Sequence, residues 1–219
     1  MRIDKRSLNA SPFIGVFSIL TDKLLLVPNS IQAKEEKGLA DLAGVEVIKA
    51  SIAASPLLGV LGLGVGNRVA LSEIALPAEA ESLEQAGLKV RVVRGVTALG
   101  NLACITKKGG VVSPILSREQ ALALEGFFGV KLVVSRVAGL DLAGSSLVAT
   151  EKGFIAHPKT TPQELEKFRE AFGTQGILTT ANYGDRFVGN SVIANTQAAL
   201  VGKNTTAHEL IRIEEAFFG

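Results

Sequence analysis

IGVFSILT from Ile14, LGVLGLGV from Leu58, LGNLACIT from Leu99, AGSSLVAT from Ala143 and VGNSVIAN from Val188 are five versions of one string, a glycine followed by an alternating apolar run. Their glycines, Gly15, Gly59, Gly100, Gly144 and Gly189, stand 44, 41, 44 and 45 residues apart. Self-similarity at a fixed period of this size marks a chain built from repeated supersecondary units. Five units of about 44 residues fill residues 1–219 as one domain.

The third unit is the most legible. Leu99–Thr106 alternates as a strand, Lys107-Lys108-Gly109-Gly110 makes a tight turn, and Val111–Ser113 returns as a second strand before Pro114. Ser117–Phe128 carries helical spacing with Gly129 at its stop, and Val130–Val134 is a third strand. Ser117 with Gln120, Thr161 with Glu164 and Thr206 with Glu209 are capping-box pairs, in which two backbone N–H groups of a helix start are satisfied reciprocally. Pro162 takes the first helical position, where its missing donor costs nothing. Gly44, Gly87, Gly129, Gly173 and Gly219 keep the same period as left-handed helix stops.

The unit therefore reads strand, strand, helix, strand. The fifth repeat stops at Gly219 without a third strand, and Arg2–Ser7 is a strand-like segment ahead of the first glycine. If that segment completes the fifth unit, no sheet edge is left open. The expected fold is a closed five-bladed α/β propeller. Glycines recur where strands converge on one axis, because a residue without Cβ permits the approach. The residues after them, Val16, Val60, Asn101, Ser145 and Asn190, should circle that axis.

Composition narrows the function. Lys plus Arg number 23 against 21 Asp plus Glu, a net charge of +2, which excludes binding of nucleic acid by bulk charge. Ten Phe, one Tyr and no Trp leave little for a base-stacking surface. The uncharged stretch between Lys49 and Arg68 is broken by Pro56 and four glycines, so it reads as buried strand and not as a membrane span. No secretory signal is visible, and a single cysteine excludes a disulfide framework; a cytoplasmic location is expected.

No catalytic set assembles. Cys104 lies between Ala103 and Ile105 in an apolar strand and reads as a small hydrophobe. His157 reads as a loop residue packed on Pro158, and His208 as an exposed first-turn residue. Neither has a carboxylate at metal-ligand spacing, and no metal or cofactor is expected. GVLGLGVG from Gly59 lacks the helix that a dinucleotide loop needs and the Gly-Lys-Ser/Thr of a phosphate loop. Lys5-Arg6, Arg91 with Arg94, and Lys107-Lys108 could touch phosphate locally. A rigid binding protein follows, with its partner unnamed by composition or spacing.

KASIAASPLLG with VGNR over Lys49–Arg68, TALGNL at Thr97–Leu102, GFIAHPKT at Gly153–Thr160, and the ending GNSVIAN with NTTAHELIRIEEAF resemble the archaeal and eukaryotic translation initiation factor 6 family along essentially the whole chain. The end at Gly219, without the polar tail of eukaryotic members, looks archaeal. The resemblance implies the pentein fold and binding to the large ribosomal subunit near the sarcin-ricin loop and a neighbouring ribosomal protein. Joining with the small subunit is thereby blocked, and the factor also serves late subunit maturation. It implies no turnover, no cofactor and no membrane partner, and a closed ring has no edge that asks for a second copy. Carried onto this sequence, it points to Asn101, then Asn67 and Arg68, then Ser51, Asn182 and Asn190 as ribosome-binding residues. The chain departs from the family pattern at Ala54-Ser55-Pro56, at Ser72-Glu73 and at Asn204. The alternative classes are a guanidino-group-modifying enzyme of the same fold, which would carry a catalytic Cys in the fifth repeat, and a propeller that binds some other protein.

Overall fold

The computed structural model describes residues 2–219; Met1 lies outside them. Each of the five glycine strings begins with one helical turn: Ile14–Phe17, Leu58–Leu61, Leu99–Leu102, Ala143–Ser146 and Val188–Ser191. The strand expected over Leu99–Thr106 is therefore shorter, Ala103–Ile105, and the buried strand expected after Lys49 begins at Gly62. A helical turn brings the backbone of each glycine against its neighbour. A Cβ built on Gly59 would overlap the Gly15 carbonyl oxygen, one on Gly100 that of Gly59, one on Gly144 that of Gly100, one on Gly189 that of Gly144, and one on Gly15 that of Gly189. No side chain fits at any of these five points.

The unit is thus helical turn, strand, strand, helix, strand. The first strands Ile19–Leu20, Gly62–Val65, Ala103–Ile105, Leu147–Ala149 and Val192–Ala194 pair antiparallel with the second strands. The second strands are Leu24–Pro28, Arg68–Ser72, Gly110–Val112, Phe154–Ala156 and Ala198–Gly202. In four units the third strand follows a helix and pairs parallel to the second. In the fifth, Arg2–Arg6 takes that place, in parallel register from Arg2 against Ala198 to Arg6 against Gly202. Five three-stranded sheets result among the described residues.

The second strands read as unbroken apolar runs because both of their faces are covered. Leu24 and Leu26 enter one core with Leu71 and Leu83, whereas Leu25 and Val27 enter another with Leu39, Ile193 and Leu200. In the fifth unit Ala199 and Val201 face Ile213 and Phe217, while Leu200 turns to the first unit. Every core is shared by consecutive units, and the fifth shares with the first. The fourth is the most aromatic, with the Phe154 ring 5.3 Å from Phe172 and 6.4 Å from Phe168.

The three predicted capping boxes form, with Ser117, Thr161 and Thr206 each accepting from the third helical N–H. Gly44, Gly129 and Gly173 are left-handed caps at φ 67°, 74° and 62°. Gly87 departs from expectation: Ala86 caps that helix at φ −77° and Gly87 follows it. No described helix is long and apolar enough to cross a membrane.

Candidate functional site

Topology gives the molecule two ends. Each first strand starts, and each second and third strand stops, at the end that carries the helical turns. The loops that enter the turns and the N-termini of the long helices lie there too. The hairpin turns and the glycine stops of the helices lie at the other end. This separates the residues singled out in the sequence. Ser51, Asn101, Asn182 and Asn190 share the turn end, while Asn67 and Arg68 lie in or beside a hairpin turn at the opposite end.

Between the ends runs a channel of about 130 Å³ that receives residues from all five units, including Gly15, Gly59, Gly100, Gly144 and Gly189. Cys104 is the one titratable side chain in its lining among the described residues. Its thiol looks into the channel but is otherwise enclosed, and burial pushes its pKa up to about 12. No group of three or more His, Cys, Asp or Glu that could hold a metal is found among the described residues.

At the turn end Asn101 and Asn190 are the third residues of their helical turns, and both are half-buried. Ser145, at the equivalent position, is buried. Asn182 is also buried: its N–H donates to Thr205 Oγ1 at 3.1 Å and its Oδ1 accepts from Asn204 N–H at 3.3 Å. Ser51 Oγ donates to Glu79 Oε1 at 2.8 Å. Around them Phe13, Ile74, Leu76, Ile115, Leu140 and Tyr183 are exposed, six of the ten large apolar side chains left to solvent among the described residues. Tyr183 is 81% exposed. Apolar exposure is therefore concentrated on this end, as on surfaces that dock partners.

The hairpin end is built differently. Asn67 is exposed, whereas the Arg68 guanidinium donates to the Phe128 carbonyl at 2.9 Å, at the C-terminus of a neighbouring helix where a cation is favoured. Over the channel mouth Lys107 Nζ meets Asp22 Oδ2 at 2.6 Å, joining the third unit to the first. Thr196 donates to Asp22 through N–H and Oγ1, both at 2.8 Å. Burial works to raise the Asp22 pKa, but the bonds from Lys107 and Thr196 outweigh it and hold it at about 2. Burial and the nearby Asp22 carboxylate raise Glu151 instead.

His208 is an exposed first-turn residue as expected. His157 is a loop residue as expected, just past the strand Phe154–Ala156, and it is buried; its ring lies 6.0 Å from that of Phe187, and its Nδ1 accepts from Lys159 N–H at 3.0 Å. Burial, then the charges of Arg186 and Lys159, lowers its pKa.

Sequence reasoning found Glu164 and Glu209 as capping partners but missed Glu79, and missed that all three carboxylates also hold a neighbouring loop at the turn end. Glu79, Glu164 and Glu209 each occupy the third helical position, accept the N–H of their own helix start, and reach across to a loop with left-handed backbone. Burial opposes ionisation, but these donors outweigh it and all three pKa values are lowered. The signal was present as the period of Glu35, Glu79, Gln120, Glu164 and Glu209, which matches that of the glycines.

Fold and ends together define an α/β repeat protein of five sheet-and-helix units packed through glycines around one channel. The chain belongs to the eIF-6 family, whose model matches residues 3–216. It is 34% identical to Translation initiation factor 6 of Pyrococcus abyssi, over 99% of this chain and 98% of that one. The corresponding protein of Pyrococcus furiosus is 36% identical over 99% and 98%, and that of Staphylothermus marinus 31% over 100% and 99%. Among solved structures, the C. jejuni agmatine deiminase is similar at a TM-score of 0.42 and 11% identity, over 56% of this chain and 50% of that one.

Proposed function

We propose that the chain is a cytoplasmic translation initiation factor that binds the large ribosomal subunit through its turn end and thereby blocks joining of the small subunit. The observation that carries this reading is the chain-long match to the eIF-6 family. Late maturation of the large subunit belongs to the same reading. The five units act as one closed propeller of the pentein type and as a monomer; the return of glycine contacts from Gly189 to Gly15 supports the closure. The mechanism is occlusion: a rigid body seated on one subunit excludes the other, with no cofactor, no metal and no bond made or broken.

Asn101 and Asn190 on the helical turns, with Ser51 and Asn182 in the adjoining loops, supply polar contacts, and the exposed apolar side chains supply buried area. Asn67 and Arg68, at the other end, are reached by a neighbouring ribosomal protein or RNA segment only if the contact wraps the rim. The channel thiol, protonated at neutral pH, is a poor nucleophile, which speaks against the guanidino-group enzymes of this fold.

Sedimentation with isolated ribosomal subunits tests the reading. Co-migration with large subunits alone, fewer joined particles, and about tenfold weaker binding of Asn101→Ser with a native circular dichroism spectrum are expected. Co-migration with neither subunit would overturn it.

A further inference from the structure

From Gln85 to Arg118 the chain carries six Lys and Arg, at Lys89, Arg91, Arg94, Lys107, Lys108 and Arg118, and no Asp or Glu. The whole chain nets only +2, so this stretch is a local basic excess in an otherwise acidic molecule. Two of the six are engaged. Lys107 Nζ meets Asp22, and Lys108 Nζ donates to the Glu151 carbonyl at 2.9 Å. Lys89, Arg91, Arg94 and Arg118 are all exposed, and none of them forms an ion pair among the described residues.

The fold gathers these four along one seam. Lys89–Val93 is the third strand of the second unit and pairs only with Arg68–Ser72, so it is the outer strand of its sheet. Lys89 and Arg91 are two residues apart and share a face of that strand. The face meets the helix Arg118–Phe128 of the third unit: Arg91 Nη1 donates to the Ala123 carbonyl at 3.3 Å, and its guanidinium carbon lies 5.9 Å from the centre of the Phe127 ring. Past the strand end, Gln120 Nε2 donates to the Arg94 carbonyl at 2.8 Å, which sets Arg94 beside the helix start that carries Arg118. Lys89 to Arg94 is five steps of about 3.3 Å, roughly 16 Å along the rim. Of the nearby carboxylates, Glu73 and Glu125 are engaged by the N–H groups of Gly95 and Leu132, both at 2.8 Å, and Glu119 stands exposed beside Arg118.

We propose that this seam binds the phosphodiester backbone of RNA, as a contact that does not rest on the turn-end docking face. Three of the four cations are arginines, whose planar fork matches the oxygens of a phosphate. Arg91 is already held by one donor bond and one ring, so its remaining N–H groups meet a ligand with less side-chain freedom to lose. A stripe of one sign drawn out along a strand fits a linear polyanion. RNA supplies a phosphate at every nucleotide whatever its sequence, whereas an acidic protein segment must place carboxylates in register. Backbone contact also needs no stacking surface, in keeping with the sparse aromatics of this chain.

The test is fluorescence anisotropy of a labelled 20-nucleotide single-stranded RNA of mixed sequence, titrated with the full chain. Four phosphate contacts at a slope of about −0.7 each predict about fiftyfold weaker binding at 200 mM salt than at 50 mM. Lys89→Glu with Arg94→Glu is expected to weaken binding at least tenfold and to flatten the salt slope, with a native circular dichroism spectrum. Neither side chain bonds to another group among the described residues, so the fold does not depend on them. The charge-matched pair Lys34→Glu with Lys167→Glu, exposed and remote from the seam in sequence, is expected to stay within about threefold of the parent. Tyr183→Ala is expected to bind the RNA as the parent does, so failure of the turn-end reading and failure of the seam are told apart. No RNA binding at 50 mM salt would overturn the proposal, as would equal losses in the two charge-reversed pairs. An oligo-glutamate peptide of the same charge that bound as tightly as the RNA would also overturn it and assign the seam to an acidic protein.

Discussion

Gly100 shows how one residue type fixes a position. The Gly59 carbonyl oxygen occupies the space a Cβ would need, and the Gly62 carbonyl closes it from the other side. Both obstacles are backbone of the second unit, so relief requires moving that unit away from the third. Gly100→Ala is therefore expected to cost about 3 kcal/mol or more, measured by denaturant unfolding. An equal substitution at half-buried, unhindered Gly66 is the wrong control, because its φ of 60° strains any side chain; Gly126, with nothing near its Cβ direction, should tolerate alanine or gain from it. Glu209 is the second case. It is only 4% exposed and survives as a carboxylate because five donor bonds from Thr180, Tyr183, Gly184 and Thr206 reach it. Its pKa is lowered on folding, so the stability it contributes is present above the ordinary carboxylate range and is lost as pH falls through the folded value. Glu209→Gln turns an amide NH₂ toward N–H donors and should cost about 1–3 kcal/mol at pH 7, shrinking toward zero in acid. A penalty unchanged between pH 7 and pH 3 would show that the charge is not what these donors hold.

Elements were legible where period or chemistry was strong. The glycine period and the boxes at Ser117, Thr161 and Thr206 placed units and helix starts, because both signals are local. The turns such as Leu58–Leu61 were hidden inside apolar runs, since four residues are too few to separate a helical period from an alternating one. The helix start at Leu76 was missed because leucine has no capping oxygen; only the Glu79 half of the box operates there. Nor could sequence show that Ser51 and Asn67 are far apart. They sit in one short stretch, but the strand Gly62–Val65 runs from the end that holds Ser51 to the end that holds Asn67. The N-terminal strand is the element whose role was most exposed to refutation. Arg2–Arg6 pairs along the whole of Ala198–Gly202, and Ile3 packs on the fifth core. Deleting residues 1–6 should lower Tm by about 10 °C, equivalent to roughly 3 kcal/mol in a chain of this size. A synthetic peptide of residues 1–7 should restore part of it. A deletion that left Tm unchanged would mean the fifth sheet needs no third strand.

For the molecule as a whole, the proposed function gives the two ends separable duties, and a crossed pair of variants tests the division. Asp22 lies at the hairpin end, where it gathers Lys107 from the third unit and Thr196 from the fifth. Its side chain is 15% exposed against 48% for Lys107, so Asp22→Asn strands no buried charge and should cost about 1–2 kcal/mol. Because folding lowers its pKa from the ordinary 3.8 to about 2, its contribution is complete above pH 4 and fades as pH falls toward 2. The Asn variant should lose that part of the acid response while still binding large ribosomal subunits as the parent does. Tyr183→Ala should do the opposite. At 81% exposure the ring contributes little to stability, within about 0.5 kcal/mol, but on a docking face a tyrosine is among the side chains that matter most. Its loss should weaken subunit binding by about tenfold with Tm and acid response unchanged. Measured side by side, the two variants place the docking face. If Asp22→Asn abolishes binding in a folded protein and Tyr183→Ala does not, the contact belongs to the hairpin end, with Asn67 and Arg68 rather than Asn101 at its centre.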